Sequence, residues 1–208
     1  MNNNIADRIA DIKSKIGNAV LTAVSKNNPV SRIREAIGAG HRVFGENRVK
    51  EAMEKFVSLK EEFPDIELHM IGALQTNKAL MAAKLFDVIE TIDRPELAKA
   101  VSAAIMKIGK KPRLYMEVNV GGETQKSGIE YDKAEKFLRF CLEECNLEIE
   151  GLMCIPPQGE NPEPYFEKMR LLKEKLNMKH LSMGMSEDYR IAVKFGATEV
   201  RIGSAIFK

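Results

Sequence analysis

A single lysine, Lys26, ends the apolar run Ala19-Val20-Leu21-Thr22-Ala23-Val24, and Pro29 follows three residues later. The run reads as a short strand. Pro29 reads as the opening of a helix, where a missing N–H loses no bond. Side chains alternate along a strand, so Lys26 shares a face with Val24 and Thr22. An amine at the C-terminal end of a buried strand is partly desolvated and acts as a nucleophile toward carbonyls, which points to Schiff-base chemistry. Ser182-Met183-Gly184-Met185-Ser186 and Arg201-Ile202-Gly203-Ser204 supply a second kind of chemistry. Ser186 reads as a helix N-cap with Glu187 and Asp188 in the favourable first turn. Gly203 lets backbone N–H groups come close to an anion, and Ser204 adds a hydroxyl; together these suit a phosphate. Arg201 interrupts an apolar strand, where a charge needs a partner. Pointing inward it faces a ring nitrogen or a phosphate, and pointing outward it snorkels between helices. Taken singly, each residue has a plainer account: a solvated lysine, a capping serine, a packing glycine. Taken as one set at strand ends, they suit a phosphorylated carbonyl compound.

The elements that would bring them together alternate regularly. Ile5, Ile9, Ile12 and Ile16 mark an amphipathic helix over 5–16. Strands are expected over 19–24, 42–45, 68–72, 88–92, 114–120, 149–155, 180–183 and 199–206. Helices are expected between them over 30–38, 48–63, 77–85, 94–108, 131–145, 163–176 and from Ser186 to Gly196. Eight strands alternating with helices is the pattern of a single α/β (β/α)8 barrel, in which catalytic groups lie at the C-terminal ends of strands and phosphate sits after strands seven and eight. A doubly wound open sheet fits less well, because no GxGxxG or GxxxxGK[ST] follows the first strand. No helix is expected after the last strand, so the extra N-terminal helix is assigned to cover that gap. No linker divides the chain, and residues 1–208 read as one domain.

Composition narrows the function classes. The formal net charge is +2 with both signs interleaved, which speaks against a nucleic-acid stripe. Met1-Asn2-Asn3-Asn4-Ile5 lacks the apolar core of a signal peptide, and no apolar run reaches a membrane span. Three cysteines, Cys141, Cys145 and Cys154, suit a reducing cytoplasm and structural roles. His41, His69 and His180 are scattered without zinc-site spacing, so no metal is expected.

Several motifs, in order, resemble a known family. They are Ala23-Val24-Ser25-Lys26, Phe44-Gly45-Glu46-Asn47, His69-Met70-Ile71-Gly72-Ala73-Leu74-Gln75-Thr76-Asn77-Lys78, Gly151-Leu152-Met153-Cys154-Ile155-Pro156-Pro157, Leu181-Ser182-Met183-Gly184-Met185-Ser186 and Val200-Arg201-Ile202-Gly203-Ser204-Ala205-Ile206-Phe207. They are similar to the pyridoxal 5′-phosphate (PLP) homeostasis proteins, the YggS/PROSC-like family, over about Val20 to Phe207. The resemblance implies a fold-type-III PLP barrel like the N-terminal domain of alanine racemase. It makes Lys26 the PLP-bearing lysine, through a Schiff base. It makes Ser186, Gly203 and Ser204 phosphate ligands, with Ser182 a further one, and sets Arg201 against the pyridine nitrogen and Asn47 near the ring. Lys126 falls where the racemases place an arginine near the phenolic oxygen. Asn27-Asn28 stands where Thr-Lys is commoner in the family. The implied role is a cytoplasmic PLP carrier or buffer with PLP and apo PLP-dependent enzymes as partners, without nucleic acid or membrane. A monomer is expected, with a weak dimer as the alternative. The competing readings are a PLP-dependent amino-acid racemase and a Schiff-base aldolase.

Overall fold

Alternation of short apolar strands with amphipathic helices closes on itself. The structure, a computed structural model, describes residues 4–208; residues 1–3, part of the stretch read above for a leader, lie outside it. The strands are β1 (Val20–Val24), β2 (Val43–Glu46), β3 (Glu67–Met70), β4 (Val88–Ile92), β5 (Arg113–Asn119), β6 (Ile129–Glu130), β7 (Gly151–Cys154), β8 (His180–Ser182) and β9 (Glu199–Ile202). Eight of them run parallel around a barrel in the order β1-β2-β3-β4-β5-β7-β8-β9. β9 returns to β1 with Val20 opposite Glu199 and Ala23 opposite Ile202. The remaining strand, β6, was not expected. It pairs Ile129 with Val118 at the end of β5, while Cys154 pairs with Val118 as well. A strand residue has only two edges, so β6 prolongs the β4 edge of β5. Two residues carry no alternation to read.

Each barrel strand points one set of side chains outward under the helices and the other inward. The outward set, including Leu21, Ala23, Phe44, Leu68, Ile89, Leu114, Leu152, Leu181 and Val200, belongs to the hydrophobic core beneath the helices. The inward set is unusually polar: His69, Glu90, Glu117, Ser182, Glu199 and Arg201 are all buried. The covering helices are α1 (Ile5–Lys13), α2 (Val30–Gly38), α3 (Val49–Glu62), α4 (Ala79–Leu85), α5 (Pro95–Ile108), α6 (Ala134–Glu143), α7 (Glu163–Lys175), α8 (Tyr189–Lys194) and α9 (Ser204–Phe207).

The last turn of the chain differs from the expectation. The strand expected over 199–206 stops at Ile202, and Ser204–Phe207 is helical. Ala205-Ile206-Phe207 extends an apolar run, and periodicity cannot distinguish strand from helix in so short a piece. Tertiary contact decides it: Ile206 and Phe207 are buried, and α9 packs on α1. The N-terminal helix does close the gap, between α9 and α2. Asn4 caps it by accepting from the Asp7 N–H at 2.9 Å. Arg8 donates to the carbonyls of Ile206 at 3.1 Å and of Lys208, and Arg32 of α2 donates to that of Phe207 at 3.1 Å. These bonds satisfy carbonyls that a helix end leaves without partners.

Candidate functional site

The loop after β1 is held from below by three charged side chains. Ser25 Oγ donates to Glu46 Oε1 at 2.6 Å, and Lys55 Nζ reaches Glu46 Oε1 at 3.1 Å and the Ser25 carbonyl at 2.9 Å. Lys55 also pairs with Glu51, whose Oε1 accepts the Asn27 N–H at 2.6 Å. Burial lifts the Glu46 carboxyl above its ordinary range, and the bonds from Ser25 and Lys55 only partly offset that. Asn27 takes a left-handed φ of +59°, which asparagine tolerates better than most residues, and Asn28 Nδ2 donates to the Lys26 carbonyl at 3.0 Å. The Asn-Asn pair therefore folds this loop itself. Lys26 projects from this fixed loop, exposed and without an ion pair among the described residues, rather than half-desolvated as its spacing suggested. Asn47, half-buried, follows β2 on the same rim.

Ser186 and Ser204 meet across the loops after β8 and β9, with Oγ–Oγ 3.0 Å. Ser186 is not the N-cap of the following helix, which begins three residues later at Tyr189. The Asp188 carboxylate accepts the Met185 N–H at 2.6 Å instead and tightens the turn around Ser186. Gly184 enters this turn at φ +94°, where a Cβ would also lie 2.6 Å from that of Ala192. Gly203 serves packing as well as access: a Cβ there would lie 3.1 Å from the carbonyl oxygen of Val24, two residues before Lys26. Ser204 opens α9, so its N–H and that of Ala205 have no partner within the helix. Ser186, Gly203, Ser204 and the loop carrying Lys26 thus share the C-terminal rim.

Arg201 points inward and is 4% exposed. It donates to Ser182 Oγ at 2.7 Å and to the Cys154 carbonyl at 2.8 Å, with Glu90 at 3.9 Å. Ser182, expected as a phosphate ligand, is fully buried and donates to Glu90 Oε2 at 2.6 Å. The structure places it below the rim as the support of Arg201, apart from the Ser186–Ser204 pair. Lys126 pairs with Glu123 and donates to the Pro156 carbonyl at 3.1 Å.

Beneath Arg201 the barrel is plugged by ions. His69 Nδ1 meets Glu90 Oε1 at 2.6 Å, and Nε2 meets Glu67 Oε1 at 2.8 Å. Burial opposes the charged imidazole, but the two carboxylates prevail and raise its pKa from 6.5 to about 9. The Glu67 carboxyl is held down at about 2 by the His69 hydrogen bond, against burial. Glu199 accepts from Tyr115 at 2.6 Å and faces His180 at 3.1 Å. Sequence spacing set the histidines apart; the sheet brings His69 and His180 together around Glu199. His69, Glu90 and Glu199 each offer an atom within 4.8 Å of the others, a cluster with metal-ligand chemistry that the spacing also missed. Here both imidazole nitrogens are used by carboxylates, so the cluster is an ion-pair network. Glu51, Lys55 and Glu90 likewise carried no motif, and Glu46 lay in one without an assigned role. For Glu46 and Glu90 the signal was charge within apolar strands, and Glu51 and Lys55 were indistinguishable from the charged face of α3.

Comparison with known proteins agrees with this architecture. The family described as alanine racemase, N-terminal domain, matches residues 2–208. A pyridoxal phosphate homeostasis protein of Aquifex aeolicus is 41% identical over 198 residues, covering 91% of this chain and 86% of the relative. That of Escherichia coli is 35% identical over 225 residues, covering 99% and 96%. PipY of Synechococcus elongatus, solved without PLP, superposes with a TM-score of 0.93 at 36% identity, covering 99% of this chain and all of its own. The same protein with PLP bound gives 0.90 at 35% identity with the same coverage. An alanine racemase of Bartonella henselae shares the fold alone, with a TM-score of 0.77 at 14% identity over 98% of this chain and 60% of the racemase. On the motifs, the barrel and these relatives, the chain belongs to the alanine racemase N-terminal domain family and, within it, to the pyridoxal phosphate homeostasis proteins.

Proposed function

We propose that the chain, as one domain over residues 1–208, binds PLP covalently through Lys26 and serves as a carrier or buffer of the cofactor rather than as a catalyst. The observation that carries this reading is the sharing of one barrel rim by an unpaired lysine, a serine pair at 3.0 Å and an inward arginine. The residues fit the group. The Lys26 amine is exposed where an aldehyde can reach it. Ser186, Ser204 and the free N–H groups of the first turn of α9 suit a phosphate, with Gly203 between. By the family resemblance, Arg201 would face the ring nitrogen and Asn47 would lie near the ring. The relative PipY, solved with PLP bound, supports the same assignment. Bound PLP supplies an electron sink for carbanions of amine substrates. Arg201 works against that use: a fixed cation beside the ring nitrogen disfavours its protonation, and an unprotonated ring withdraws electrons poorly. In this role the partners are PLP and apo PLP-dependent enzymes, and a cytoplasmic monomer suits it.

The test is to load purified protein with PLP, record visible absorbance, reduce with borohydride and map the modified peptide. The expected label is on Lys26. A label on Lys78 or Lys126 overturns the site. Efficient formation of D-alanine from L-alanine by the loaded protein overturns the carrier role in favour of a racemase.

A further inference from the structure

Within the barrel one acid is left without a partner. Glu117, on β5, is 8% exposed, and its Oε2 is buried with no hydrogen bond among the described residues. The charged groups facing it are Asp93 and Arg94 after β4, Glu90 on β4 and Arg201 on β9. Most are already committed. Asp93 and Arg94 pair with each other at 2.5 Å, and Arg94 also donates to the Leu74 carbonyl at 2.8 Å. Glu90 uses one oxygen on His69 and the other on Ser182. The Cys154 thiol, pushed up to about 12 by burial, stays neutral. Arg201 is fixed by Ser182 and the Cys154 carbonyl, with Glu90 no nearer than 3.9 Å. A buried carboxyl without a partner is costly as an anion unless a cation lies close. Of the two arginines facing it, Arg201 and Arg94, Arg201 is the buried one, 4% exposed inside the barrel.

We propose that Glu117 is a positioning residue of the cofactor site: its carboxyl is the adjustable counter-charge to Arg201, and its ionisation sets the field that the guanidinium presents to a bound pyridine ring. The inference rests on the PLP reading above and names a control on it. Burial, reinforced by Asp93, lifts the Glu117 carboxyl from 4.5 to about 7, against the pull of Arg201. Below that pH Glu117 is neutral, and Glu90 at 3.9 Å is left to offset the Arg201 charge. Above it the anion offsets part of the guanidinium field, and the ring nitrogen becomes less hostile to a proton.

The experiment is a pH titration of the visible absorbance of PLP-loaded wild type, Glu117→Gln and Glu117→Asp. Wild type is expected to show an inflection near neutrality that Glu117→Gln lacks and Glu117→Asp restores with a shifted midpoint. The same inflection in wild type and Glu117→Gln overturns the proposal, as does a wild type without one. A second measurement needs no cofactor. Because the folded carboxyl holds its proton up to about 7, against 4.5 ordinarily, folding loses stability as pH rises through that window. The urea midpoint of Glu117→Gln relative to wild type is therefore expected to rise from pH 5 to pH 8; an unchanged difference overturns the titration. Wild-type protein that takes up no PLP would sink the cofactor reading, while the urea arm still judges Glu117.

Discussion

The interior of the barrel and its C-terminal rim use polar residues in opposite ways. Inside, His69 with Glu67 and Glu90, Tyr115 with Glu199, and Ser182 with Glu90 and Arg201 make hydrogen bonds of 2.6 to 2.8 Å. On the rim, Lys26 makes no ion pair among the described residues, and the two serines bond chiefly to each other. Both regions hold groups that apolar strands would exclude. Satisfied groups shape the barrel, whereas groups left short of partners are free to meet a ligand. Arg201 and Glu117 lie at the boundary, one tied and one not.

Removing the two kinds of group separates these roles. The largest effect is expected from Lys26→Ala: borohydride-stable PLP disappears completely, while urea unfolding shifts by no more than about 0.5 kcal/mol, as for other exposed sites. A large loss of stability would show that Lys26 belongs with the interior. Glu90→Ala should do the reverse. It strands His69 and frees Ser182, and breaking a buried pair costs about 3–5 kcal/mol in urea unfolding. A near-neutral result would mean that the interior is dispensable packing. A third effect follows from His69, whose folded pKa of about 9 lies above the ordinary 6.5. Its contribution is fully present below pH 6.5 and is lost as pH rises through about 9, on the order of 3 kcal/mol. His69→Gln should flatten that alkaline slope, and an unchanged slope would assign it elsewhere. The smallest effect sharpens the rim. Ser186→Ala with Ser204→Ala should weaken PLP binding about tenfold, near 1–2 kcal/mol for two hydrogen bonds. Unphosphorylated pyridoxal should be hardly affected, as read by equilibrium dialysis; equal losses would deny these serines the phosphate. Ser204 is the better companion to Ser186 here than Gly203, because a side chain at Gly203 would press on Val24 and disturb the lysine loop.

The barrel was legible because its strands and helices repeat at regular spacing and its glycines and prolines fall between them. Lys26 and Arg201 stood out as charges at apolar strands, and Ser186, Gly203 and Ser204 as anion-friendly residues in the loops after the last two strands, which made them candidates. What could not be read depends on pairing across the sheet. Ser182 looks like Ser186 in sequence, yet register turns one inward to Glu90 and leaves the other at the rim. His69 and Glu199 lie far apart in the chain and meet only because β3 and β9 both line the interior. α9 was missed because burial against α1, not local pattern, makes it a helix.

The seam between β1 and β9 has a consequence for synthesis. Synthesis runs from N- to C-terminus, so β1 and the proposed PLP lysine are made well before β9 and the proposed phosphate ligands. Val24, beside Lys26, touches Gly203, and Arg8 and Arg32 hold the carbonyls of the final residues. A growing chain therefore presents the exposed Lys26 loop before the loops after β8 and β9 exist. With the site as proposed, cofactor retention is a property of the closed ring, and a product lacking β9 is expected to hold PLP poorly.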